Sequence, residues 1–174
     1  MLFRSKEWAD KFGGKTAATP KAAAEDQDFV MCCVGNDNDL RSVTIGPDGA
    51  FAGMKKGATF VDHTTASAEV ARELDAAATK AGFKFVDAPV SGGVEGARNG
   101  KLSVMVGGEA GVLAQARPAL EAYALRIAHM GPVGAGQATK AVNQVMVAGI
   151  NEAVCEALAL GEALGLEADQ LLPT

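Results

Sequence analysis

The sequence predicts an α/β protein: a doubly wound parallel sheet in a first domain (1–132), followed by a long helix that begins an all-α second domain (133–174). Three observations carry this. Apolar strand-like runs alternate with helix-like runs: FVMCCV (29–34), ATFVDHT (58–64), KFVDAPV (84–90) and SVMVGG (103–108). Those runs are apolar throughout, as strands of a parallel sheet covered on both faces are. From Gly134 to about Leu166 the chain holds helical periodicity without a proline.

Taken in order, MLFRSKEWADKFGGK (1–15) reads as a helix that stops at Gly13-Gly14. SAEVARELDAAATKAG (67–82) opens on a serine cap, carries apolar residues at helical spacing and ends at Gly82. FVDAPVSGGVEGARNGKLSVMVGG (85–108) predicts a strand, a glycine-rich turn, a short helix and a second strand. AGVLAQARPALEAYA (110–124) predicts a helix that Pro118 bends or splits. The run from Gly134 corresponds to a helix on the order of 45 to 50 Å long, at 1.5 Å per residue. ADQLLPT (168–174) reads as the opening turn of another helix.

A chain of 174 residues makes one domain, or one domain and part of another. Its 48% hydrophobic and 21% charged residues are ordinary for a globular protein. A net charge of −5 argues against nucleic acid or an acidic membrane as the main partner. No apolar run reaches the ~18–20 residues that a membrane span needs. Cys32, Cys33 and Cys155 show neither metal spacing nor a disulfide framework. The expectation is reduced core thiols, no metal and a cytoplasmic location.

Ser91, Gly92 and Gly93 stand where a buried strand meets a turn. Glycines permit positive φ and close backbone approach, and inward-turned amides can cradle a carboxylate beside the Ser91 hydroxyl. By pattern alone, a tight turn that binds nothing is an equal reading. Lys140 is a candidate general acid and base, because apolar neighbours such as Val142 and the positive end of the helix both disfavour its charge. A solvated surface lysine is the usual alternative. His63 could pair with Asp62 or Asp87, although no nucleophile elbow accompanies them. Asp87 is expected instead to satisfy backbone N–H groups near the Ser91 turn.

DAPVSGGVEGARNGKLSVMVGG (87–108) resembles the substrate-site segment of the β-hydroxyacid dehydrogenases, and MGPVGAGQATKAVNQ (130–144) is similar to their catalytic-lysine segment. CVGNDNDLR and VDHTTAS match the intervening strand ends. The resemblance implies a partial Rossmann-type domain, then a helical domain, with NAD or NADP as cofactor and a small hydroxy acid or aldehyde as substrate. It implies Lys140 as the catalytic residue and Ser91, Gly92 and Gly93 as substrate-binding. Asn143 would orient Lys140 or the substrate, and Gln144 stands where some relatives carry a second Asn. The implied cofactor contacts are Val34, Gly35 and Asn36 on one strand end, Thr64 and Thr65 on the next, and Gly136. Members of the family commonly form homo-oligomers.

A dinucleotide domain normally opens with a strand and a G-x-G-x-x-G turn. The chain has none, since GAGQ (134–137) lacks both a leading strand and the third glycine. The expectation is therefore a fragment, with Met1–Ser5 translated from adapter, weak cofactor affinity and a tendency to self-associate. A noncatalytic binding module of the same fold, or an inactive chain, is the alternative to an enzyme.

Overall fold

The computed structural model describes residues 2–171. The chain divides into two compact units, 1–140 and 141–174. In the first, strands β1 (Phe29–Cys32), β2 (Thr59–Asp62) and β3 (Lys84–Asp87) run parallel. They carry the sheet's apolar runs, trimmed to four residues each. The sheet then reverses. The short β4 (Val90–Ser91) and β3 both pair antiparallel with β5 (Leu102–Gly107), and β5 pairs parallel with β6 (Ala124–Gly131). The expected all-parallel sheet is thus a mixed one. The chain turns back on itself within the glycine-rich segment, between β4 and β5, without a crossover helix long enough to restore the direction.

Helices cover both faces, as the strands' apolar character requires. On one face lie α3 (Asp37–Thr44) and α4 (Ala68–Ala81). There Leu40, Val70, Ala71, Leu74 and Ala78 pack on Phe60 and Phe85. On the other, α6 (Ala110–Leu120) places Val112, Leu113, Ala116 and Leu120 against Val61, Val86 and Val106. Both helices bury the same i, i+1, i+4, i+8 stripe, the one face of a 3.6-residue period. The Ser67 hydroxyl caps α4 by accepting the Val70 N–H at 3.1 Å, and Gly82 closes it at φ 87°.

Ahead of the sheet, α1 (Leu2–Phe12) stops at Gly13, φ 75°, followed by the short α2 (Pro20–Ala24). The short helix predicted after the glycine turn is α5 (Gly93–Arg98). The elements not anticipated include α2, α3 and β6. α3 is eight residues of largely polar sequence, and β6 is an edge strand, mostly exposed, without an apolar run to announce it. Pro118 neither splits α6 nor ends it at once, since it falls in the last turn, where little of the hydrogen-bond ladder remains to be lost.

The long helix is α7 (Ala135–Ala163), 29 residues. Its first turn lies over the junction of β3 and β5, where Asp87 pairs with Gly107. A Cβ on Gly136 would strike the Met105 carbonyl and lie 2.7 Å from Asp87 Oδ2, and one on Gly107 would lie 2.8 Å from the Gly136 N. Glycine on both sides is what lets helix and sheet approach this closely. In the second unit, the remainder of α7 is followed by α8 (Ala168–Leu171), whose Leu171 meets the α7 backbone at Gly161. The unit exposes Val145, Met146, Ile150, Val154 and Leu160.

Gly136→Ala is expected to cost at least ~2 kcal/mol in a urea titration, because the obstructing atoms are backbone and a pinned carboxylate. Gly149→Ala, with open space around its Cβ, should be neutral or stabilising by up to ~1 kcal/mol. Equal effects from the two substitutions would contradict this placement of α7.

Candidate functional site

The parallel strands β1, β2 and β3 present their carboxyl ends together, and most of the sequence-predicted residues stand there. Open α/β sheets take ligands at this rim. From β1 the chain leaves through Val34, Gly35 and Asn36. The Asn36 side chain accepts the N–H groups of Asn38 and Asp39 at 2.9 and 3.0 Å, and so caps α3. A Cβ on Gly35 would sit 2.8 Å from Asp39 Oδ2, so that glycine has a packing reason of its own. From β2 the chain continues into Thr64, which is fully buried, and Thr65, which is exposed. Thr64 Oγ1 accepts the Val34 N–H at 3.1 Å and ties the two strand ends together.

From β3 the chain passes through Ala88 and Pro89 to Ser91, which pairs with Ser103 of β5. Gly92 and Gly93 follow at φ 126° and 60°, values that side chains with a Cβ rarely adopt. Both are exposed, with Ser91 half-buried. The turn therefore needs its glycines for its shape alone.

Asp87 anchors the opposite wall. Its buried carboxylate accepts the Gly134 N–H at 2.7 Å and the Gln137 N–H at 2.8 Å. These are orphan donors of the α7 N-terminus, which a carboxylate satisfies while also complementing the helix dipole. Asp87 was expected to serve N–H groups near Ser91; it serves those of α7 instead. The same geometry explains why GAGQ is no phosphate turn, since the protein's own carboxylate already occupies the anion position. Gly136 is packed between the sheet and this cap.

Lys140, one turn further along α7, is 8% exposed. It forms no ion pair among the described residues. Val142 does not bury it, being 59% exposed itself. Asn143 and Gln144 belong to the second unit, where their side-chain amides lie 3.4 Å apart.

Gln137 was missed by the sequence reading. It is buried, its Nε2 donates to the Thr64 carbonyl at 2.6 Å, and its Oε1 accepts the Ala66 N–H at 3.1 Å. A glutamine at a helix start carries no signal by itself; its partners come from a loop about 70 residues earlier.

His63 is not paired with either aspartate. Its Nδ1 lies 2.6 Å from the Ala88 carbonyl, so Nδ1 carries the proton, and Nε2 accepts from the Tyr123 hydroxyl at 2.7 Å. Burial lowers its pKa, partly offset by the bond to Ala88, and burial pushes the Tyr123 hydroxyl up to about 12. The cysteines are unpaired, but only Cys32 is even partly buried; Cys33 and Cys155 are exposed, contrary to the core placement expected. Burial, reinforced by Asp62, raises the Cys32 thiol to about 12.

Asp62 is the unusual carboxyl of the rim. It is fully buried, with Oδ1 accepting the Thr64 N–H at 2.9 Å and Oδ2 without a partner. Burial raises its pKa to about 6, against the lowering effect of Thr64, and the Asp87 and Asp37 charges add to the rise. A cleft of about 940 Å³ lined by Arg72, Asp75, His129, Val133 and Ala138 includes none of the predicted site residues. No helix among the described residues is long and apolar enough to cross a membrane.

Known proteins share the sequence pattern and the fold. The sequence pattern of the NAD binding domain of 6-phosphogluconate dehydrogenase matches residues 4–131, and that of the NAD-binding region of NADP-dependent 3-hydroxyisobutyrate dehydrogenase matches 134–173. An uncharacterized oxidoreductase of Shewanella frigidimarina is 48% identical over 164 residues, 94% of this chain and 56% of that protein. A probable mitochondrial 3-hydroxyisobutyrate dehydrogenase-like protein of Arabidopsis thaliana is 39% identical over 95% of this chain and 55% of its own length. The Mycobacterium tuberculosis 3-hydroxyisobutyrate dehydrogenase, solved with L-serine, superposes with a TM-score of 0.81 at 38% identity, over 89% of this chain and 52% of that one. The chain spans about half the length of the relatives it matches.

The raised Asp62 pKa has a stability consequence. A proton held more tightly in the folded state makes stability greatest at low pH, and stability is lost as pH rises through about 4 to about 6. Asp62→Asn keeps the acceptor for Thr64 and removes the charge. Relative to it, the unsubstituted chain should lose roughly 3 kcal/mol between pH 4 and pH 7, from the displacement of 3.8 to about 6. Urea titrations of both across that range check this, and parallel pH profiles would contradict it.

Proposed function

Because the chain belongs to the β-hydroxyacid dehydrogenase family, we propose that it carries the substrate and proton-transfer residues of an NAD(P)-dependent oxidoreductase acting on a short 3-hydroxy acid. The substrates in view are of the 3-hydroxyisobutyrate or tartronate semialdehyde type. L-serine, itself a 3-hydroxy acid, accompanies the Mycobacterium tuberculosis relative.

One observation carries this reading. Asp87, four residues before Ser91, holds the first turn of the helix on which the buried Lys140 stands. A single carboxylate thus ties the helix of the proposed base to the strand that leads into the proposed substrate turn. The Ser91 hydroxyl and the main chain at Gly92 and Gly93 would receive the substrate carboxylate. Lys140 Nζ would take the hydroxyl proton as the C–H bond gives up its hydride, leaving a carbonyl, and would return a proton to that oxygen in reduction.

NAD or NADP supplies the hydride acceptor when bound. We assign Val34, Gly35, Asn36, Thr64 and Thr65 at the carboxyl rim to its nucleoside and nicotinamide portions; Thr65 is exposed there, and the buried Thr64 holds the Val34 N–H. None of these residues forms a glycine turn for the pyrophosphate, and the α7 N-terminus is already satisfied by Asp87.

Lys140→Met should lower kcat by ~10² to 10⁴ with little change in secondary structure. Ser91→Ala should raise KM about tenfold, as loss of one hydrogen bond to a charged group does. Both are read with 3-hydroxyisobutyrate and L-serine against each cofactor. Turnover by Lys140→Met at the unsubstituted rate would refute the assignment.

A further inference from the structure

Resting on the dehydrogenase reading, we infer that Gln137 is a positioning residue that sets the Thr64–Ala66 loop against the helix bearing Lys140. Both polar ends of its buried amide are committed to the two residues that flank Thr65: Nε2 to the Thr64 carbonyl at 2.6 Å and Oε1 to the Ala66 N–H at 3.1 Å. Its backbone N–H is committed to Asp87 at 2.8 Å. One residue therefore joins three strand ends. It reaches β3 through Asp87, β2 through Thr64 and Ala66, and β1 through Thr64, whose hydroxyl receives the Val34 N–H at 3.1 Å.

Lys140 lies three residues along the same helix, and Thr65 is the exposed residue between the two that Gln137 grips. The group that moves the proton and the loop assigned to the nicotinamide thus share one rigid link. Geometry of this kind governs rate steeply, since displacement of about 1 Å costs on the order of 10²-fold. Gln137 touches neither substrate nor cofactor in this account; it acts through the loop.

The test is Gln137→Met in the full chain, which keeps side-chain volume and removes both hydrogen bonds. The expected result is a kcat lowered ~10- to 100-fold, with KM for the hydroxy acid within about threefold of the unsubstituted value. A larger primary isotope effect should appear with substrate deuterated at the carbinol carbon. Amide exchange at Ala66 should accelerate at least ~10-fold, while the amides of Val61 and Val106 keep their protection. Unchanged kcat would overturn the inference. So would a loss of kcat accompanied by faster exchange throughout β2 and β5, because that is a damaged fold. If the unsubstituted chain oxidises no hydroxy acid, the dehydrogenase reading fails separately. The exchange data then decide alone: acceleration confined to Ala66 upholds the brace, and uniform or absent acceleration overturns it.

Discussion

The carboxylate of Asp87 is the interaction on which the rest of the arrangement depends. The first turn of α7 is pinned to the sheet because its first free N–H groups end on a buried anion at the carboxyl end of β3. Left without partners in a dry environment, those donors would be costly, and so would the carboxylate without them. Each therefore needs the other. The close approach in turn requires Gly107 and Gly136, since a Cβ on either would occupy the space between the cap and the sheet.

A second consequence concerns charge. Asp62 and Asp87 lie opposite one another on adjacent parallel strands, and only one of them has donors for both oxygens. Asp87 has helix amides; Asp62 has one amide and an orphaned Oδ2. Burial is what raises the Asp62 pKa to about 6, and the hydrogen bonding it receives from Thr64 offsets only part of that rise. The rim of the sheet thus holds one carboxyl with an amide donor on each oxygen and one with an orphaned oxygen, in positions that sequence alone makes look equivalent.

The legible part of the fold was the part written in local pattern. Apolar strands, a capped and glycine-terminated α4, and the uninterrupted periodicity of α7 each follow from side chains within a few residues of one another. What escaped was set at long range. β6 is an edge strand whose apolar sequence is interrupted by Arg126 and His129, and it exists because β5 offers it a partner; α3 is held by its Asn36 cap and by Leu40 packing on the sheet face. The reversal of the sheet after β3 depends on chain direction through a glycine turn, which residue periodicity does not encode.

The site divides along the same line. Ser91, Lys140 and the strand-end residues could be named because they stand in long motifs. Gln137 could not, for its significance lies in a loop about 70 residues away; the possible His63–Asp62 pair does not form because neighbours in sequence point to opposite faces of a strand. His63 follows Asp62 directly, yet its ring turns to Tyr123 and Ala88 while the aspartate turns to Thr64. Alternation along β2 thus separates the His63–Tyr123 pair on one face from Asp62 and the Asp87 cap of α7 on the other. The proposed chemistry belongs to the second face, because only there do the ends of three parallel strands and the start of α7 meet.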